Sequence, residues 1–135
     1  MHILLIDDSE PDLMYGRIMI EHAGVASKVT SFEDAREALK WLQQGDGDGV
    51  DMILLDINMP NMDGFEFLTA FEALALASTA PVVMLTSSPD PRDRERARGF
   101  VSVHDYVVKP IDCIQVRQLV QRVLSAALTP ADESR

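Results

Sequence analysis

Residues able to do acid or phosphoryl chemistry stand directly after short apolar runs of the sequence. They comprise three carboxylates, one hydroxyl and one ammonium group: Asp7, Asp8, Asp56, Thr86 and Lys109. If each apolar run is a strand of a parallel α/β sheet, these side chains meet at the carboxyl ends of the strands, where such sheets bind ligands. The spacing therefore predicts one polar site at a single sheet edge.

Three carboxylates gathered at one edge repel one another. Two unit charges about 4 Å apart repel by roughly 4 kcal/mol at an effective dielectric constant near 20, and Lys109 offsets only part of that repulsion. Either some of the acids hold a proton, or a divalent cation lies among them. Mg²⁺ is suited to carboxylate oxygens and commonly binds substrate phosphate as well.

The same groups are those that a phosphoryl-transfer site needs. A cation and a lysine stabilise phosphoryl oxygens, and a hydroxyl can donate a hydrogen bond to them. A carboxylate can be the nucleophile, as in aspartyl-phosphate intermediates. These residue types therefore predict phosphoryl transfer to a carboxylate.

The elements that position these groups follow from apolar runs that alternate with amphipathic stretches. Short runs without polar alternation are typical of strands buried on both faces, and they lie at His2–Ile6, Lys28–Phe32, Asp51–Leu55, Pro81–Leu85 and Asp105–Val108. Helices are predicted between and after them, over Ser9–Gly24, Asp34–Gly45, Gly64–Leu76, Asp90–Arg98 and Asp112–Leu128. This alternation predicts an α/β fold, a doubly wound five-stranded parallel sheet with five helices on its two faces.

Sequence signals mark several helix ends and faces. Pro11 suits the first turn of the first helix, and Gly24 suits its end. Ser31 with Asp34 resembles a capping box ahead of the second helix. Four apolar residues of the last helix are predicted to be available for burial: Ile114, Leu119, Val123 and Leu124.

Composition limits the class of protein. A chain of 135 residues fits one domain with one core, which we expect over residues 1–128 with a frayed tail over residues 129–135. The formal net charge of −10 disfavours binding to nucleic acid and to anionic membranes. A single cysteine, Cys113, excludes an internal disulfide, and we find neither a signal-peptide pattern nor a membrane-spanning apolar run. We therefore expect a soluble, cytoplasmic protein.

Four motifs follow one another along the chain: LLIDDSE, ILLDINMPNMDGFEFL, VVMLTSS and DYVVKP. Together, in this order and at this spacing, they resemble the receiver domain of bacterial two-component response regulators. The resemblance covers Ile3 to about Leu128. It implies a flavodoxin-like fold with the strand order 2-1-3-4-5.

The resemblance implies a role for each matching acid. Asp56 corresponds to the phosphorylated aspartate. Asp8 corresponds to the direct acidic ligand of Mg²⁺, and Asp7 to a neighbour that reaches the metal through water. The backbone carbonyl of Asn58 corresponds to a further metal ligand. Mg²⁺ is thus the implied cofactor.

The resemblance also implies which residues respond to the phosphoryl group. Lys109 corresponds to the lysine that contacts it, Thr86 to the switch hydroxyl that turns towards it, and Tyr106 to the aromatic residue that rotates with that movement. Pro110 corresponds to a proline that often follows a cis peptide bond.

By the same resemblance, the chain is a phospho-acceptor signalling protein rather than an enzyme, with self-catalysed phosphotransfer and autodephosphorylation. The implied phosphoryl donor is a sensor histidine kinase or a histidine phosphotransfer protein, and the output is a phosphorylation-dependent contact with a target protein. We expect a stand-alone regulator, monomeric or homodimeric, that binds neither nucleic acid nor membrane. The stretches MLTSSPDPRDRERA and YVVKPID resemble single-domain regulators paired with phytochrome-type kinases.

Two other function classes compete with this interpretation. A Mg²⁺-dependent phosphatase with an aspartyl nucleophile, of the haloacid dehalogenase type, needs a second acid two residues after the first, where this chain has Asn58. A flavodoxin-type flavin module needs a phosphate-cradling loop after the first strand, where Asp7 and Asp8 would repel the flavin phosphate.

Other unusual stretches have structural interpretations. The glycine-rich Gly45–Gly49 lacks the later ligands of an EF-hand and is predicted to be a flexible connection. The charged stretch Asp90–Arg98 is predicted to be a solvated helix face, with a partner contact as a second interpretation. Ser102 and Val103 stand where the family usually has a glycine-alanine pair, so we expect a different loop before the fifth strand.

Overall fold

The computed structural model describes residues 1–45, 49–74, 80–87 and 89–128. The strands are β1 (His2–Ile6), β2 (Lys28–Phe32), β3 (Met52–Asp56), β4 (Val82–Thr86) and β5 (Val103–Val108). The helices are α1 (Glu10–Ala23), α2 (Ala35–Gln43), α3 (Gly64–Ala73), α4 (Pro91–Ala97) and α5 (Cys113–Leu128). All strand pairs are parallel, in the order β2-β1-β3-β4-β5, which confirms the predicted fold.

A hydrophobic layer covers each face of the sheet. Alternate residues of each strand point to opposite faces, so the apolar runs supply both layers. On one face α2, α3 and α4 pack against Leu4, Ile6, Ile53, Leu55, Val82 and Met84. On the other face α1 and α5 pack against Ile3, Leu5, Met52, Leu54, Val83 and Leu85. The strand ends are thus held between two packed layers.

The ends of α1 are those that the sequence predicts. The Ser9 hydroxyl accepts a hydrogen bond from the Asp12 backbone N–H at 3.3 Å, and Pro11 lies in the first turn. Gly24 ends the helix with φ 70°, a left-handed conformation that favours glycine.

The capping box predicted from Ser31 and Asp34 is wrong. Ser31 is a residue of β2, and its hydroxyl accepts from Arg17 at 3.2 Å. Asp34 alone caps α2, since its carboxylate accepts from the Arg36 backbone N–H at 2.9 Å. The Ser31 hydroxyl contacts α1 rather than the start of α2, which explains the error.

The predicted burial of Ile114 is also wrong, because its side chain is 59% exposed. The face of α5 that meets the sheet carries residues at helical spacing, namely Val116, Leu119, Val120 and Val123. Ile114 precedes Val116 by two residues, about 200° around the helix, and so faces outwards. The burial predicted for Leu119 and Val123 is confirmed.

The strand β5 begins at Val103, two residues earlier than predicted. Val82 pairs with Val103, but Val83 pairs with Asp105, so one extra residue of β5 forms a bulge. Ser102, just before the strand, is buried and donates from its backbone N–H and its hydroxyl to Glu72 of α3, at 2.9 and 2.6 Å. The residue that departs from the family pattern therefore ties the start of β5 to α3.

Some predictions fall outside the described residues. They concern the last two residues of the predicted third helix, the centre of Gly45–Gly49, the side chain of Leu124 and the tail over residues 129–135. Within the described ranges, none of the helices combines the length and the apolar character of a membrane-spanning segment.

Candidate functional site

Two buried acids lie side by side at the carboxyl ends of β1 and β3. Ile6 pairs with Leu55, so Asp7 and Asp56, the residues that follow them, are neighbours at the sheet edge. Asp7 is 2% exposed and Asp56 is 5% exposed. The Asp7 backbone N–H donates to Phe32 O at 3.1 Å, which holds the residue in line with its strand.

Asp8 completes an acidic cluster with these two residues. Asp7, Asp8 and Asp56 each offer a carboxylate oxygen, and the three oxygens lie within 4.8 Å of one another. Asp8 is exposed, whereas the other two acids are buried. Asn58 lies two residues beyond Asp56, with an exposed side chain. A set of hard oxygen donors of this kind fits Mg²⁺.

Lys109 reaches the acidic cluster from the end of β5. Its Nζ lies 2.6 Å from Asp7 Oδ2, 2.9 Å from Asp12 Oδ2 and 3.3 Å from Asp56 Oδ1. Its backbone N–H donates to Thr86 O at 2.7 Å, so the residue is anchored to the end of β4. Its side chain is 14% exposed. The predicted convergence at one sheet edge is therefore what the structure contains.

Burial and the neighbouring charges shift the pKa values of the acids and the lysine of this site. Burial and the neighbouring charge of Asp7 raise the pKa of Asp56 to about 7, while Lys109 acts in the opposite direction. Burial also raises the pKa of Asp7, although hydrogen bonds from Lys109 and from the Ser9 backbone oppose it. Burial alone would lower the pKa of Lys109, but its acidic partners outweigh burial and raise it.

Thr86 and Tyr106 lie beside the site on the two neighbouring strands. Thr86, the last residue of β4, is fully buried. Tyr106 of β5 is 9% exposed, and the Arg94 guanidinium of α4 lies 4.7 Å from the centre of its ring. The Tyr106 hydroxyl is buried without a hydrogen bond of good geometry in the described part of the chain. Burial, with Asp93, raises the pKa of Tyr106, while Arg94 and the Thr86 hydroxyl lower it.

The backbone around the site carries two special features. The Lys109–Pro110 peptide bond is cis. Gly64 opens α3 against the end of β3, where a Cβ atom would lie 2.7 Å from Asp56 O and 3.0 Å from Ile57 Cα. Only glycine lets α3 begin this close to Asp56.

The sequence reasoning missed one residue of the site. Asp12 lies within the predicted helix over Ser9–Gly24 and was given no role at the site, yet it forms an ion pair with Lys109. Asp12 lies in the first turn of α1, three residues after the N-cap Ser9 and four residues after Asp8, the second acid at the end of β1. That spacing at the sheet edge was the signal that could have found it.

Comparison with known proteins places this site in a family. The family model described as the response regulator receiver domain matches residues 3–123. The chain belongs to this family. Receiver domains are signalling phospho-acceptor modules that interact with histidine kinases or phosphotransfer proteins, and they use Mg²⁺ at an acidic pocket. The motif-based resemblance is thereby confirmed.

Named relatives and solved structures agree with this membership. The two-component response regulator ORR1 of Oryza sativa subsp. japonica is 30% identical over 122 residues, covering 87% of this chain and 52% of the relative. The chain thus spans about half the length of the rice regulators that it matches. A two component response regulator from Cytophaga hutchinsonii has a TM-score of 0.84 at 28% identity, covering 92% of this chain and 96% of that chain. The bacteriophytochrome response regulator AtBRR has a TM-score of 0.74 at 32% identity, covering 90% and 91% respectively.

Proposed function

We propose that this chain accepts a phosphoryl group on Asp56, in a Mg²⁺-dependent reaction, from the phosphohistidine of a sensor kinase or of a phosphotransfer protein. The position of Asp56 carries this proposal. It is 5% exposed at the end of β3, belongs to the acidic cluster and lies 3.3 Å from Lys109 Nζ. A nucleophile, a cation site and a lysine thus meet at one point.

The transfer is a displacement at phosphorus. A carboxylate oxygen of Asp56 forms a bond to phosphorus, while the bond from phosphorus to the donor's imidazole nitrogen breaks and its electron pair returns to the imidazole. Lys109 Nζ donates to a phosphoryl oxygen and stabilises the charge that the transition state carries. Water later attacks the acyl phosphate and releases inorganic phosphate, leaving Asp56 as a carboxylate.

Asp7, Asp8 and Asp56 would hold the Mg²⁺, with the backbone carbonyl of Asn58 as a further ligand. Bound there, the ion supplies positive charge next to the phosphoryl oxygens. Asp7 Oδ1 already accepts from the Ser9 backbone at 2.9 Å, and its Oδ2 accepts from Lys109 at 2.6 Å. Asp8 is exposed at the rim of the cluster. We therefore assign the direct contact to Asp8 and the water-mediated one to Asp7.

The signal leaves the site through the neighbouring strands. The phosphoryl group adds negative charge and strong acceptors, which draw the Thr86 hydroxyl towards Asp56. Tyr106, beside Thr86, then repacks, and Arg94 over its ring carries the change to the surface of α4. The output is a changed contact with a target protein, and we propose that the chain works in the cytoplasm as a monomer or homodimer without binding nucleic acid.

The alternative of an aspartyl-nucleophile phosphatase is not favoured. Such an enzyme needs a general acid two residues after the nucleophile, and Asn58 carries an amide there. An amide has no acidic proton to give to a leaving group. Steady turnover of a small phosphate ester would support the phosphatase class.

Acetyl phosphate with Mg²⁺ tests the proposal by intact-protein mass spectrometry. We expect the wild type to gain one phosphoryl group and Asp56→Asn to gain none, because the amide is not a nucleophile. Asp51→Asn is the matched control, since Asp51 precedes the amino end of the same strand and is exposed. Labelling of Asp56→Asn to the wild-type extent would contradict the proposal.

A further inference from the structure

The amine of Lys109 is shared among three acids. An ammonium group has three N–H donors. Two hydrogen bonds are short, 2.6 Å to Asp7 Oδ2 and 2.9 Å to Asp12 Oδ2. Asp56 Oδ1 lies farther away, at 3.3 Å. Two donors are thus occupied by Asp7 and Asp12, and one remains for the side on which Asp56 lies.

Asp12 is held on a rigid element. It lies in the first turn of α1, where the Ser9 hydroxyl accepts from its backbone N–H at 3.3 Å. The next residue, Leu13, is buried in the layer that α1 and α5 form against the sheet. Asp12 therefore contacts Lys109 from the first turn of α1, whereas Asp7 contacts it from the residue that follows β1.

The Lys109 side chain lies beside open space. The residue borders a cleft of about 240 Å³ between α1 and the segment that follows β5. Gly16 and Tyr15 of α1 and Ile111 also line this cleft. A flexible four-carbon side chain beside open space needs polar contacts to stay in one direction.

We propose that Asp12 is a positioning residue for phosphotransfer to Asp56: it fixes Lys109 so that its third N–H is directed at the phosphoryl group. This inference rests on the proposed function. Without Asp12, Lys109 keeps its bond to Asp7 but can turn into the cleft, so fewer molecules have the amine in the reactive direction.

If Asp12 acted mainly through its negative charge, its removal would have the opposite effect on the labelling rate. The Asp12 carboxylate lies close to where an anionic phosphoryl donor must approach, so its removal would speed labelling if repulsion were its main effect. Asp12→Asn keeps an oxygen that accepts from Lys109 but loses the charge, whereas Asp12→Ala loses both. Positioning predicts that the two variants differ, and repulsion predicts that both are faster than the wild type.

The experiment measures the rate of Asp56 labelling at saturating acetyl phosphate and Mg²⁺, together with the half-saturating donor concentration. We expect Asp12→Ala to be slower by about tenfold at an unchanged half-saturating concentration, and Asp12→Asn to stay within about threefold of the wild type. Glu10→Ala is the matched control for a lost acid in the first turn of α1 and should label at the wild-type rate.

A double-mutant cycle separates positioning from a structural effect. In a Lys109→Met background, Asp12→Ala should change the rate by less than about twofold, because the group that Asp12 positions is gone. A wild-type rate for Asp12→Ala, equal slowing in Asp12→Asn, or an undiminished effect beside Lys109→Met would each overturn the inference. If the wild type itself is not labelled on Asp56, the proposed function fails, and this inference fails with it.

Discussion

Burial shifts the ionisation of the Asp56 carboxyl group in the folded chain. In the folded chain its pKa is raised to about 7, first by burial and then by Asp7. In the unfolded chain the carboxyl ionises near 4. The folded state therefore binds this proton more tightly than the unfolded state does. The stabilisation from this tighter proton binding is complete below pH 4 and is lost as the pH rises through about 7.

The free energy of unfolding of Asp56→Asn tests whether the fold raises the pKa of Asp56. In the absence of divalent cations, the variant should be more stable than the wild type by about 2 kcal/mol at pH 8, since the raised pKa corresponds to roughly 4 kcal/mol before solvent screening. The difference should shrink as the pH falls through 7 towards 4. Urea unfolding at several pH values measures it.

Asp51→Asn removes an exposed acid next to the same strand and controls for the general effect of losing one carboxyl group. Equal stability of Asp56→Asn and the wild type at pH 8 would mean that Asp56 is not held in a state that disfavours its charge. If Asp56→Asn is the more stable protein without divalent cations, saturating Mg²⁺ should make the wild type the more stable of the two, because the ion binds only the folded wild type well.

The residue scale is also where the sequence was most informative and where it failed. Asp7, Asp56, Thr86 and Lys109 could be placed at one edge because a parallel sheet brings its strand ends together. The spacing of Asp12 pointed to the same edge, but its contact with Lys109 depends on the angle at which α1 leaves that edge. The raised pKa of Asp56 also depends on burial, which the sequence does not give.

At the scale of elements, the start of α3 depends on a residue without a Cβ atom. Gly64 places the helix against β3, where a Cβ atom would meet Asp56 O at 2.7 Å and Met84 Cε at 3.3 Å. The first of these neighbours is backbone and cannot move aside without moving Asp56. The acceptor and the helix after it are thus coupled by packing.

Gly64→Ala should therefore impair both stability and labelling. We expect a loss of about 1–2 kcal/mol in the free energy of unfolding, together with slower phosphorylation, because the backbone of Asp56 must shift. Gly99→Ala is the matched control, since a Cβ atom there would lie 3.4 Å from Arg96 O on the exposed end of α4. Equal effects of the two substitutions on both readouts would contradict the coupling.

Element types were predictable, while element ends and faces were less so. All five strands and five helices follow from apolar runs and helix start signals. The bulge at the start of β5 and the link from Ser102 to Glu72 depend on contacts between distant parts of the chain. The exposure of Ile114 follows only when the face of α5 that meets the sheet is known.

At the scale of the whole molecule, the fold turns scattered polar residues into one site. Two apolar layers hold the strands in register, and register brings residues from opposite ends of the chain within bonding distance, as for Asp7 and Lys109 at 2.6 Å. The whole chain carries a formal net charge of −10. Basic partner surfaces and bound cations are therefore favoured over nucleic acid.

The most direct test of the account is chemical localisation of the phosphoryl group on the whole chain. After labelling with acetyl phosphate and Mg²⁺, borohydride reduces an aspartyl phosphate to homoserine, and peptide mass spectrometry locates the reduced residue. The account predicts reduction at Asp56, dependent on Mg²⁺, with Asp7 and Asp8 unmodified. Reduction at either of those acids, or labelled protein that borohydride leaves unchanged, would contradict it.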